Sequence, residues 1–157
     1  MFFIIGNHDT YYKNSNETNS ISFFKEIGGI ESVIIIQDDP YFIQMQDKTL
    51  GLFPWGFDID NYLKDNEDYE VVDYGFGHFE INGIEQAGSV SSGCKYHYND
   101  LSKLANKTFS GHYHNSASYK DNTVVMLGSP LQLNWGEYNR PKYIYTLDVI
   151  GDEFVKY

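Results

Sequence analysis

Three apolar runs in this sequence end in glycine and then present histidine. They are Phe2-Phe3-Ile4-Ile5-Gly6-Asn7-His8-Asp9, Val71-Val72-Asp73-Tyr74-Gly75-Phe76-Gly77-His78 and Thr108-Phe109-Ser110-Gly111-His112-Tyr113-His114. Four of the 5 histidines fall inside these segments. A strand that stops at glycine lets the backbone bend and approach another group closely, and imidazole is the commonest neutral metal ligand. The pattern predicts a fold in which separate strand ends bring imidazoles to one centre.

The chain has 157 residues, enough for one domain with a real core and too few to expect two. Hydrophobic residues make up 41%, with 14 Tyr and 11 Phe as bulky filling, which excludes a disordered chain. The single cysteine, Cys94, rules out an intrachain disulfide and fits a reducing cytosol, so the expected location is cytoplasmic. Met1 to Ile5 lacks the basic flank and cleavage pattern of a signal peptide, and no run approaches the roughly 20 apolar residues of a membrane span. A formal net charge of −11, from 22 acidic against 11 basic residues, argues against broad electrostatic capture of nucleic acid. If the substrate is DNA, cations and a basic partner must supply the attraction.

Phe2 to Ile5 reads as a buried strand, and the Asn-rich stretch Thr10 to Asn19 as a surface loop. Ser20 is placed to cap a helix through Ile27, with Gly28 as its stop. Ser32 to Ile36 reads as a strand, and Tyr41–Gln46 with Thr49–Pro54 as a hairpin about Asp47-Lys48. Asp58 or Asp60 starts a short helix ending near Lys64, and Asn99 or Asp100 caps another over Leu101 to Ala105. Val71–Phe76, Thr108–Ser110, Thr123–Leu127 and Lys142–Val149 complete the strands. Strands with interspersed helices predict a layered α/β or α+β domain.

His112 and His114 are two apart, so in an extended segment both rings face one side while Tyr113 faces the other. Alone, such a pair is as compatible with surface chance as with a ligand pair. The amide oxygen of Asn7 adds a hard donor that suits Mn²⁺ beside imidazole. Trp55 and Trp135 are expected to pack, with Trp135 an alternative cleft-lining residue. Burial is expected for Tyr11 and Tyr12, against the alternative of stacking on nucleic-acid bases. His97, Cys94 and the acidic stretch from Asp58 to Asp68 read as ordinary surface or bystander residues.

Taken in order, Gly6-Asn7-His8-Asp9, Gly77-His78 and Gly111-His112-Tyr113-His114 resemble the calcineurin-like metallophosphoesterases. More narrowly, Gly6–Tyr12, Gly77–Gly83 and Gly128–Glu137 resemble the nuclease subunit of the SbcCD/Rad50-associated DNA repair nucleases, nearest to the phage recombination endonuclease subunit. The resemblance implies a layered β-sandwich flanked by helices, and a pair of divalent metal ions, Mn²⁺ by preference. Asn7, His78 and His112 would hold one ion and His114 would belong to the other. His8 would face the scissile phosphate and protonate the leaving oxygen, and Asp9 would orient His8.

Members of this family carry an Asp-x-His strand and a Gly-Asp segment upstream of the Asn-His-Asp turn. This sequence opens at that turn and contains no Asp-x-His. Residues 1–157 are therefore expected to form the C-terminal portion of a single metallophosphoesterase domain, weakly active or inactive alone. The implied partners are DNA, a Rad50/SbcC-like ATPase subunit and an upstream polypeptide supplying the missing carboxylates. Two alternatives are another phosphatase or nucleotide phosphodiesterase of the superfamily, and a non-catalytic remnant or binding module.

Overall fold

The computed structural model describes residues 1–12, 15–26, 33–86 and 89–157. β-Rich segments dominate: β1 (Phe2–Ile4), β2 (Thr10–Tyr12), β3 (Ser15–Asn19), β4 (Ile34–Ile36), β5 (Tyr41–Met45), β6 (Lys48–Leu52) and β7 (Val72–Gly77) fill the first half. β8 (Glu85–Gln86), β9 (Ser89–Val90), β10 (Ala105–Ser110), β11 (Ala117–Tyr119), β12 (Val124–Met126), β13 (Tyr145–Asp148) and β14 (Glu153–Lys156) follow. Three short helices, α1 (Phe23–Glu26), α2 (Ile59–Asp65) and α3 (Tyr98–Leu101), lie between strands among the described residues.

The central sheet runs β11-β12-β10-β7-β6-β5, and β12, β10, β7 and β6 are mutually parallel. Period-2 alternation splits its side chains between two cores. Val124 and Met126 face a cluster with Phe53, Phe79, Ile81, Leu101 and Leu104, which α2 and α3 help to close. Val125, Leu50, Tyr74 and Phe109 face the opposite side, where Leu147 and Phe154 of the β13–β14 hairpin cover them. The result is the expected layered α+β domain, with a sheet between a helical layer and a hairpin layer.

β1 pairs in parallel with β4, from Phe2 opposite Ile34 to Ile4 opposite Ile36. Ile5 is buried, but Phe2 is exposed, so the first strand is less enclosed than its apolar run suggests. The Asn-rich stretch read as a loop is a hairpin, with Thr10 opposite Asn19 and Tyr12 opposite Ser15. Asn16 ties that hairpin to the rest of the fold by donating to the carbonyls of Gln37 (2.6 Å) and Trp55 (3.0 Å). Asn19, not Ser20, receives the backbone N–H groups of Ile21 and Ser22 ahead of α1. Ile27, Gly28 and Ser32 lie outside the described residues.

Asp58 caps α2 by accepting from the Asn61 N–H at 3.1 Å, as expected. The second predicted helix sits earlier, over Tyr98–Leu101. The His97 N–H donates to Asp100 at its start, and Ala105 already belongs to a strand. The β5–β6 hairpin turns at Gln46-Asp47, one residue earlier than predicted, with Gln46 in the left-handed region (φ 55°). Among the described residues no helix is long and apolar enough to cross a membrane.

Candidate metal centre

Each glycine turn singled out in the sequence follows the C-terminal end of a parallel strand. Asn7 and His8 follow β1, His78 follows β7, and His112 and His114 follow β10. Trp55 follows β6 and Ser129 follows β12 at the same end of the sheet. In open sheets this end is where ligand sites form, because successive loops converge there.

Three of the predicted residues meet directly. His78 Nε2 lies 2.9 Å from Asn7 Oδ1, and the His78 and His112 rings stand edge to face with centroids 5.2 Å apart. Gly6 makes this approach possible: a Cβ there would fall 2.8 Å from the His78 ring. Trp55 completes the enclosure, stacked on His112 at 5.5 Å and edge-on to His78 at 5.7 Å. Packing was the expected use of Trp55, but packing against these two imidazoles was not legible from its Gly/Pro-rich loop.

His112 departs from the extended geometry expected for the His-x-His segment. Its φ is 77°, in the left-handed region, so strand alternation does not set the two rings. A non-glycine residue held there costs on the order of 1–3 kcal/mol, and such strain concentrates at functional positions. His112 Nδ1 is also buried without a hydrogen-bond partner. An orphaned buried nitrogen costs about 1–3 kcal/mol more. Two unfavourable features at one imidazole make sense if that nitrogen is a ligand. Tyr113 does point away, its hydroxyl donating to Ile81 O at 2.6 Å and accepting from Ile81 N at 3.0 Å.

Burial drives the electrostatics. It pushes His78 down to about 4, reinforced by the neighbouring His112, and it lowers His112 as well. Both imidazoles are thus neutral near pH 7, the form that can donate a lone pair. A histidine whose folded-state pKa lies below its unfolded value binds fewer protons than the unfolded chain between the two. Stability of the metal-free chain should therefore fall as pH drops from about 6.5 to about 4, then level off for this group. The full loss from His78 is on the order of 3 kcal/mol. Chemical denaturation across this range checks it: a His78→Gln chain should lose less stability than wild type over the same window.

His8 is exposed beside the cluster, near enough for its charge to bear on His78 and His112. Asp9 braces the turn. Its carboxylate accepts from the Gly6 N–H at 2.8 Å and from Ser20 Oγ at 3.2 Å, and Thr10 Oγ1 donates to Asn7 O. The Asp9–His8 hydrogen bond implied by the resemblance is not among these contacts. His114 Nδ1 contacts Glu137 Oε1 at 2.7 Å. Glu137 is buried and held by Lys142 Nζ at 2.6 Å, which with His114 brings its carboxyl down to about 2.

A divalent cation fits the donor set in part. Two ligand atoms on one small cation at about 2.1 Å sit about 3 Å apart, the separation of His78 Nε2 and Asn7 Oδ1. Neutral imidazoles beside an amide oxygen form a mixed nitrogen and oxygen donor set, chemically compatible with a divalent metal ion. No group of three or more His, Cys, Asp or Glu side chains among the described residues is arranged to hold a metal.

Trp135 is 92% exposed, Tyr11 77% and Tyr12 54%, which overturns burial for the tyrosines and packing for Trp135. His97 is a surface residue, as expected, and Cys94 is half-buried 4.0 Å from the Tyr113 hydroxyl.

No family model matches this chain. Over 147 residues, 92% of its length, the chain is 27% identical to exonuclease subunit 1 of Enterobacteria phage T4. It spans about two fifths (41%) of that protein. The sequence similarity is thus to a phage exonuclease subunit.

Proposed function

We propose that this chain is part of a metal-dependent DNA nuclease subunit of the metallophosphoesterase type, acting in recombination and repair. The observation that carries this reading is His112: a strained backbone presents an unpaired buried nitrogen beside His78 and Asn7. Similarity to a phage exonuclease subunit favours a nuclease over other phosphoesterases. Asn7, His78 and His112 hold one divalent cation, and His114 contributes to a second. Paired divalent ions in such a site activate water and neutralise phosphoryl oxygens.

His8 protonates the leaving oxygen from its exposed place beside the cluster, and Asp9 fixes the turn that presents it. Tyr11, Tyr12 and Trp135 offer platforms on which unpaired bases stack. With a net charge of −11 the chain needs help to hold DNA, which the cations and a Rad50/SbcC-like ATPase subunit supply. The cytoplasm, of the host if phage-encoded, is the matching compartment.

A binding module without catalysis is the second reading, favoured by the shortage of carboxylate ligands among the described residues. A DNA cleavage assay with Mn²⁺ separates the two. The 157-residue chain alone should cleave little or not at all, and a polypeptide carrying the Asp-x-His and Gly-Asp strands should restore cleavage. Failure with a soluble, verified partner favours the binding module. Robust cleavage by the chain alone contradicts the partial site.

A further inference from the structure

Glu137 is a buried carboxylate in a surface loop otherwise rich in exposed apolar side chains, and it contacts the His114 ring directly. Its Oε1 faces His114 Nδ1 at 2.7 Å and accepts from Asn134 Nδ2 at 2.6 Å. Its Oε2 accepts from Lys142 Nζ at 2.6 Å and from the Leu133 N–H at 3.2 Å. The same Lys142 donates to the His114 carbonyl at 2.9 Å and to Ser129 Oγ at 2.8 Å. Ser129 N–H also donates to that carbonyl at 3.1 Å. Gly128, with φ 78°, passes so close that a Cβ would lie 3.1 Å from it. The 128–142 loop therefore grips His114 twice, by its backbone oxygen and by one ring nitrogen.

A carboxylate can only accept, so the neutral ring facing it must carry its proton on Nδ1. Lys142 keeps that carboxylate ionised while buried. We propose that Glu137 is a positioning residue: it fixes the His114 proton on Nδ1 and leaves Nε2 bare as the ligand for a second divalent cation. Carboxylates behind metal-binding imidazoles act in this way generally, and losing one costs about 10–100-fold in metal affinity. The inference rests on the metal reading of the site and adds the residue that makes His114 competent for it.

The test separates the two. Long-range ¹H–¹⁵N correlation spectra of the metal-free chain, at a pH where imidazole is neutral, report which ring nitrogen of His114 bears the proton. Wild type should show Nδ1–H. The double variant Glu137→Leu, Lys142→Met removes both charges together, so neither is left buried alone, and should shift the proton to Nε2. A wild-type His114 protonated on Nε2, or a double variant that keeps Nδ1–H, overturns the inference. Should the double variant not fold, the wild-type spectrum decides alone. Titration with diamagnetic Zn²⁺, followed by the ¹⁵N shift of each ring nitrogen, is the second readout. His78 and His112 should shift at the same Zn²⁺ in both proteins, while His114 Nε2 of the double variant needs at least about tenfold more. No shift of any of these ring nitrogens in wild type overturns the metal reading itself, whatever the tautomer.

Discussion

Cutting Phe53 back to alanine is expected to cost about 3–5 kcal/mol, the range for truncating a fully buried aromatic side chain. Phe53 is 0% exposed. Its ring meets Phe57 at 5.3 Å, Phe79 at 6.2 Å and Phe42 at 6.2 Å, and a Cβ on Gly51 would fall 2.8 Å from it. Neighbours that tight cannot collapse far into the space it leaves, so most of the cavity cost persists. Because domains of this size are stable by only about 5–15 kcal/mol, the variant should lie near its unfolding midpoint at modest denaturant. Equilibrium urea denaturation measures it, and a change below about 1 kcal/mol would show that Phe53 is not the keystone of this core. Phe53 also leads directly through Pro54 to Trp55, so the same variant should loosen the wall behind His78 and His112.

Replacing His78 with alanine should weaken Mn²⁺ binding by more than about a hundredfold, beyond what losing an outer partner costs. His78 is the hub of the cluster: it touches Asn7 by a hydrogen bond and His112 and Trp55 by ring contacts, and both Gly6 and Gly111 make room for it. Removing it deletes one nitrogen ligand and unfastens a second ligand, Asn7. Isothermal titration with Mn²⁺ checks the effect, with exposed His97→Ala as the control that should bind like wild type. Equal affinity in the His78 variant would remove the hub from the account.

The strand ends were legible because apolar run, glycine and histidine each carry their own physical signal, and the three coincide. Parallel pairing of β7 with β10, which brings His78 beside His112, is a long-range choice that no local pattern announces. The β2–β3 hairpin was hidden by its asparagines, whose reach to Gln37 and Trp55 depends on the folded neighbours. His112's left-handed backbone was invisible for the same reason: a local rule favours extension, and the surrounding core overrules it. Trp55 and Glu137 were missed as site residues. Each sits in an irregular loop where sequence offers no period, and Glu137 reads as one acid among 22 in the chain. The signal that could have flagged it is a lone acid flanked by Leu131, Leu133 and Trp135, with Lys142 five residues on.

In crystals of the chain grown with Mn²⁺, anomalous diffraction should show a manganese peak within about 2–2.5 Å of Asn7 Oδ1 and of a ring nitrogen from each of His78 and His112, the result expected if these side chains share one cation. Manganese bound elsewhere, with these three side chains still hydrogen-bonded to one another or to solvent at saturating metal, would contradict it.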